Sequence, residues 1–326
     1  MADGAVTDRI EAIRSVPTLD GLYEETTRLN MVPGWLRHDQ TAPKDAPKSA
    51  YLPMHWRYDE CKAALDAAGR LIDVSLAERR NLVMRNPIKG NDFSTTATIV
   101  AAYQMILPGE KAPSHRHVPH ALRVIIDARG AYSTVDGEKT PMETGDVVLT
   151  PGWSWHEHGH DGDEPAYWLD GLDVPLVRSL ETMFYEDHPA KFEPNVRAVT
   201  TSPYRFTRDD IARRLDKAKA DADGLHGPRT VLEAPSMPTI QLSVQRLSAG
   251  TSTRRQRANI NRVFSCMAGS GETQLGKERF AWRRGDTFTV PTWAYFTHKA
   301  NEDAQLFEMS DEPLMRFGLY YRTQVD

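Results

Sequence analysis

Cysteine is nearly missing from this chain: only Cys61 and Cys266 occur in 326 residues, far apart and without a CxxC pair. That excludes a disulfide framework and a thiolate metal cluster. Long apolar runs are missing too. None reaches the roughly 18 residues that a membrane-spanning helix needs, and the opening MADGAVTDRIEAIRSV is charged throughout. Nor does one sign of charge dominate, because 40 basic and 45 acidic residues leave a net charge of -5 with no block of either sign. A nucleic-acid partner is therefore not expected. These absences describe a soluble cytoplasmic protein with reduced thiols and no membrane partner.

What is present falls into four stretches. Residues 1–94 read as a helical and irregular arm, in which Asp8 to Arg14, Leu19 to Leu29 and Tyr58 to Ala68 have helix-like apolar spacing around the proline-rich TAPKDAPKSAYLP. From Thr95 the rhythm changes to short alternating runs broken by turns: TATIVAAYQMIL, ALRVIID, GAYSTVDG, DVVLTP and AYWLDGLD. Residues 95–186 thus read as an antiparallel sandwich or barrel. Residues 187–238 form a polar connector with the helix-like ARRLDKAKADADG, and residues 239–326 are strand-rich again.

The two strand-rich stretches repeat each other. Gly109, Gly130, Gly145-Asp146 and Pro151 in the first are followed in the same order by Gly250, Gly271, Gly285-Asp286 and Pro291 in the second. These landmarks are those of the cupin motifs. The expected fold is mainly β: two cupin (jelly-roll) barrels, a bicupin, with a helical N-terminal arm and a helical connector.

Six of the 11 histidines, His115, His117, His120, His156, His158 and His160, crowd into the first repeat. On a strand, residues i and i+2 face the same side, so His115 and His117 point together while Arg116 points away. Alone, HRH reads more readily as two surface histidines on a strand than as a metal site. Paired with WHEHG at cupin spacing, it reads as a metal site in which His156 supplies the third ligand. Three neutral imidazoles leave positions open for substrate and dioxygen, as in facial-triad non-haem iron sites. An ordinary cupin adds a glutamate where this chain has Ala121 and Leu122. In the second repeat the ligand positions become Gln256, Ala258 and Phe296, so that barrel is expected to be metal-free.

With the repeat and the triad in place, the chain resembles the gentisate 1,2-dioxygenase family, bicupin ring-cleaving dioxygenases that include salicylate and 1-hydroxy-2-naphthoate dioxygenases. The resemblance is carried by AERRNLVMRNP, LPGEKAPSHRHVPHALRVII, GAYSTVDGEKTPMETGDVVLTPGWSWHEHG and YWLDGLDVPLVR. It implies Fe(II) on His115, His117 and His156, and an aromatic acid with a hydroxyl beside its carboxylate that is cleaved with dioxygen between those two ring carbons. It further implies Arg123 and Arg79 as substrate arginines, His158 as a proton-exchanging or hydrogen-bonding group, Gln104 as a substrate-positioning group, and Asp170 as a residue that orients a histidine or arginine. A homo-oligomer, commonly a tetramer, completes the implied picture.

Three departures from the family pattern bear on specificity. Val100 stands where members commonly place a pocket tryptophan, His160 stands where asparagine is common, and Arg85 adds charge near an expected pocket mouth. They favour a 5-substituted salicylate such as 5-nitrosalicylate, or gentisate, with 1-hydroxy-2-naphthoate as the alternative. Two other classes share the fold: Lewis-acid cupin isomerases, which usually keep the carboxylate ligand, and non-enzymatic modules that bind a small acid.

Overall fold

The computed structural model describes residues 2–36, 43, 45–73, 77 and 79–326. It divides into two units, Met1–Lys48 and Ser49–Asp326. The first holds helices Ala2–Arg14 and Leu19–Arg28 and a short 3-10 turn, Gly34–Leu36. Thr18 starts the second helix as sequence chemistry requires, its hydroxyl accepting the Gly21 N–H at 3.2 Å.

The second unit carries helix Tyr58–Leu71 and four antiparallel-dominated sheets, two per barrel. In the first barrel, one sheet runs through Val147–Thr150, Ala121–Asp127, Ala166–Leu172 and Val100–Ile106. The facing sheet runs through Lys111–His117, His156–His160, Ala131–Val135 and Glu138–Met142. The second barrel repeats this order with Thr287–Val290, Arg262–Ala268, Ala304–Ser310 and Gln241–Leu247 in one sheet, and with Gln256–Ala258 beside Phe296–Ala300 in the other.

The polar stretches flanking the barrels add edge strands. Arg80–Val83 pairs with Val100–Ile106, and His55–Trp56 pairs with Thr287–Val290 of the other barrel. Tyr185–Asp187 covers the edge of the strand that holds His115 and His117. Open sheet edges invite foreign strands, and short paired segments close them. Their composition is too polar for the alternating pattern to mark them as strands.

Strand alternation sorts side chains into two destinations. In Val100–Ile106, Ala101, Tyr103 and Met105 pack with Leu122, Val124 and Leu169, and with Leu242, Val244, Phe307 and Met309 of the second barrel, into one apolar core between the barrels. Tyr103 donates from its hydroxyl to Gly285 O at 2.6 Å, tying the barrels together. The other parity, Val100, Ala102, Gln104 and Ile106, therefore faces the barrel interior. One repeat landmark moves. Ala131 pairs with His160 as Gly271 pairs with Ala300, so Gly271 matches Ala131, and Gly269, with φ 76°, takes the left-handed place of Gly130, with φ 87°.

Candidate metal centre and substrate cavity

The turn between Val147–Thr150 and His156–His160 brings the third histidine to the first two. Gly152 is required there, since a Cβ would stand 2.2 Å from Val118 O. Its N–H donates to His120 Nδ1 at 2.9 Å, and Trp153 N–H donates to His117 O at 2.7 Å, so the turn is fastened to the HRH segment. His120, off the pocket parity, is thus a structural clasp. Trp153 is held at φ 68° and Trp293 of the second barrel at φ 62°, the same unusual backbone at the same repeat position.

His115 pairs directly with His156 across the strands. One ligand-capable atom from each of His115, His117 and His156 lies within 4.8 Å of the others, and among the described residues this is the one such group of three or more. Each Nδ1 meets a backbone carbonyl: Pro113 O at 3.2 Å, Pro119 O at 2.8 Å and Ser154 O at 3.0 Å. A carbonyl only accepts, so each Nδ1 carries the proton and each Nε2 presents a lone pair. Burial also keeps the rings neutral. It lowers His115 to about 3 and His117 to about 4, helped by the charges of Arg79 and Arg123, and holds His156 well below the usual histidine range. Neutral imidazoles with free Nε2 atoms suit a divalent cation such as Fe(II).

Beyond the hydrogen-bonded ring Nδ1 atoms, several buried polar atoms in and beside this barrel have no partner, and those of the residues named from the sequence stand among them. The latter are His156 Nε2, both ring nitrogens of His158, Gln104 Oε1, Arg123 Nε, and Nε and Nη1 of Arg79. A buried unsatisfied polar atom costs about 1–3 kcal/mol, so a cluster of them marks a space kept for a ligand. Arg123 is 2% exposed and donates from Nη1 to Thr150 Oγ1 at 2.6 Å, while its Nε lies 3.4 Å from Asp170 Oδ1 without hydrogen-bond alignment. Burial lowers Arg123 to about 10 and, despite Arg123, raises Asp170 above the usual carboxylate range. The two shifts agree: desolvation outweighs the attraction of this loose pair. At neutral pH two guanidiniums face one carboxylate, and the cavity favours an anion.

Of the residues assigned from the sequence, Arg79, Gln104, Arg123 and His158 have buried polar atoms without partners, and Asp170 contacts Gln104 and Arg123. Val100 shares the inward parity of Gln104 and is buried. His158 faces Trp168 with ring centroids 6.0 Å apart and is held neutral by burial. Asp170 lies beside the Arg123 guanidinium and also accepts from Trp168 Nε1 at 2.9 Å and from Gln104 Nε2, which leaves the Gln104 carbonyl oxygen without a partner. The His160 ring meets Glu164 O and accepts from Gly162 N–H at 3.2 Å. Arg85 is exposed, with Asn91 O at 3.5 Å.

Sequence reasoning missed Thr150, Trp168 and Tyr185. The last stacks on His115 with centroids 5.2 Å apart. Parity could have found Thr150 and Trp168; nothing in the spacing pointed to Tyr185. In the second barrel Gln256 pairs with Phe296 as His115 pairs with His156, and His298 sits buried against Thr273 Oγ1 at 2.8 Å.

The lowered histidines carry a stability consequence. A folded chain whose histidines titrate near 3 to 4 binds fewer protons than its unfolded state below about pH 6.5, so their contribution is present above that pH and lost on acidification. His115, His117 and His298 (to about 3) each contribute in this sense. Chelator-treated protein should lose on the order of 2 kcal/mol per such histidine between pH 7 and pH 5. A melting temperature flat across that interval would contradict the burial argument.

Residues 102–173, most of the first barrel, match the cupin domain family. The chain is 38% identical to gentisate 1,2-dioxygenase 1 of Aquipseudomonas alcaligenes over 81% of its own length and 84% of that protein. It is 32% identical to the 5-aminosalicylate 1,2-dioxygenase of a Comamonas species, covering 94% of this chain and 90% of that one. It superposes on the salicylate 1,2-dioxygenase of Pseudoaminobacter salicylatoxidans, solved as an adduct with gentisate, with a TM-score of 0.85 and 28% identity over 96% of this chain and 95% of that chain. Identity at this level along most of the chain, together with the paired cupin barrels, makes the protein a member of the gentisate 1,2-dioxygenase family and an aromatic ring-cleaving dioxygenase.

Proposed function

We propose that the first barrel, residues 95–186, holds Fe(II) on His115, His117 and His156 and opens a 5-substituted salicylate. Reaction with dioxygen breaks the bond between the carboxyl-bearing and hydroxyl-bearing ring carbons. One observation carries this reading: three free Nε2 atoms converge beside two guanidiniums that have hydrogen-bonding atoms to spare. Fe(II) in that position supplies dioxygen binding and a Lewis acid for the substrate's oxygens.

The chain's own residues do the rest. Arg123, anchored by Thr150, and Arg79 bind the carboxylate, as arginine's planar fork suits. His158, neutral and unpartnered, is positioned to accept the proton of the ring hydroxyl or hydrogen-bond its oxygen. Gln104, steered by Asp170, offers its carbonyl to a donor on the ring. The closed barrel keeps bulk water from the reacting centre. The absent carboxylate ligand disfavours Lewis-acid isomerases. The second barrel, residues 239–326, carries architecture rather than metal. Exposed Leu180, Met183 and Phe184 beside the Tyr185–Asp187 edge strand support a homo-oligomer, for which a tetramer is the expected form.

Val100 sets the substituent. A valine where a tryptophan could stand leaves room beside the ring for a substituent larger than hydroxyl, and the relatives include a 5-aminosalicylate as well as gentisate dioxygenases. Turnover of gentisate, salicylate, 5-nitrosalicylate, 5-chlorosalicylate and 1-hydroxy-2-naphthoate should show higher kcat/KM for 5-nitrosalicylate and 5-chlorosalicylate than for gentisate. Val100→Trp should cost them on the order of tenfold or more, the range that pocket volume controls. A clear preference of the wild-type enzyme for gentisate would sink this assignment.

A further inference from the structure

The second barrel lacks the histidines, yet its interior is also left unsatisfied. By strand register, Gln245 opposite Leu306 takes the place of Gln104 opposite Trp168, and Glu308 opposite Ser243 takes that of Asp170 opposite Ala102. A cavity of about 280 Å³ opens among Gln245, Gln256, Arg262, Phe264, Phe296 and Glu308. Phe264 and Phe296 form its apolar floor with ring centroids 6.0 Å apart, and the Arg262 guanidinium lies 5.2 Å from the Phe296 ring.

Charge in this cavity does not cancel. Arg262 Nε donates to Glu308 Oε1 at 2.9 Å, and Arg229 Nη2 donates to Glu308 Oε2 at 3.2 Å, so one carboxylate is shared by two cations. Glu312, the other acid at the rim, is taken by Arg316 at 2.7 Å. Arg262 is 7% exposed, yet its Nη1 has no partner, and the carbonyl oxygen of Gln245, 5% exposed, has none either. An excess cation, a spare donor from a planar fork and a spare acceptor thus stand over an aromatic floor.

We propose that this cavity is a second, non-catalytic binding site for a single-ring aromatic carboxylate. The ring lies against Phe264 and Phe296, the carboxylate takes the free N–H of Arg262, and a hydroxyl or amino group on the ring donates to Gln245. None of these residues belongs to the triad or to the first cavity, so the site stands whether or not the iron assignment does.

Benzoate, which has no hydroxyl beside its carboxylate, is the probe. It is titrated calorimetrically into the full-length protein without oxygen. The wild-type chain should bind a benzoate that Arg262→Gln weakens at least tenfold. Gln256→Trp, which fills the cavity and leaves Arg262 and Glu308 unsubstituted, should remove it and decides the matter if the arginine variant fails to fold. No benzoate bound by the wild type, or equal stoichiometry and affinity in wild type and Gln256→Trp, would overturn the site.

Discussion

His117→Ala is expected to abolish metal retention and reduce turnover by at least about a hundredfold, while the barrel stays folded. Losing even a partner that only orients a ligand typically costs 10- to 100-fold in metal affinity or activity, and here a ligand itself is lost. The fold should tolerate the change because His117 is half-buried and its ring makes one hydrogen bond, to Pro119 O at 2.8 Å. The strand that carries it keeps its backbone pairing with Tyr185–Asp187. Metal content by elemental analysis and oxygen uptake read the first effect, and circular dichroism reads the second. A variant with full iron and full activity would refute the triad.

Arg123→Ala should do two separable things. The carboxylate loses its buried partner, so KM for a salicylate should rise on the order of a hundredfold, within the 2–5 kcal/mol that truncating a buried charged contact costs. Asp170 is left in a dry interior with only Trp168 and Gln104 to donate to it, which should lower stability by about 3–5 kcal/mol. Arg123→Lys separates the two. It keeps the charge near Asp170 but not the fork that reaches both Thr150 and a substrate, so KM should rise while most of the stability returns. An unchanged KM in both variants would remove Arg123 from the substrate site.

The chemistry of this protein was legible in its sequence because it depends on short-range parity and on a repeat. His115 and His117 are two residues apart on one strand, and His156 follows a turn whose landmarks recur in the second barrel, so their convergence follows from strand geometry. Arg123, Gln104 and Val100 follow from the family resemblance, and the strands place Gln104 and Val100 on the parity opposite to the apolar core between the barrels. What could not be read was partner choice across sheets. That Asp170 steers Gln104 and Trp168, and that Tyr185 lies on His115, depends on which strands become neighbours. The edge strands Arg80–Val83 and Tyr185–Asp187 escaped notice because strands that cover an edge need no alternating pattern. His160 belongs to the same histidine-rich string, and its ring contacts with Glu164 O and Gly162 N–H are set by a turn that spacing does not reveal.

The second barrel shows how much of the site is interchangeable with ordinary packing. Where the first barrel has His115, His156 and Arg123, the second has Gln256, Phe296 and Phe264, and Phe264, Phe288 and Trp282 stack beside its cavity. Both barrels also share the apolar core formed where their outward-facing side chains meet, and that core does not depend on which filling the interior has. Function in the first barrel is thus added to a scaffold that does not require it.

The most direct test of the central claim is oxygen uptake by metal-free protein reconstituted anaerobically with Fe(II) and then given a 5-substituted salicylate in aerated buffer. The account predicts one dioxygen consumed per ring opened, no uptake without iron, and none in the His117→Ala variant. Absence of uptake with every salicylate tested, or equal uptake by the His117→Ala variant, would contradict it.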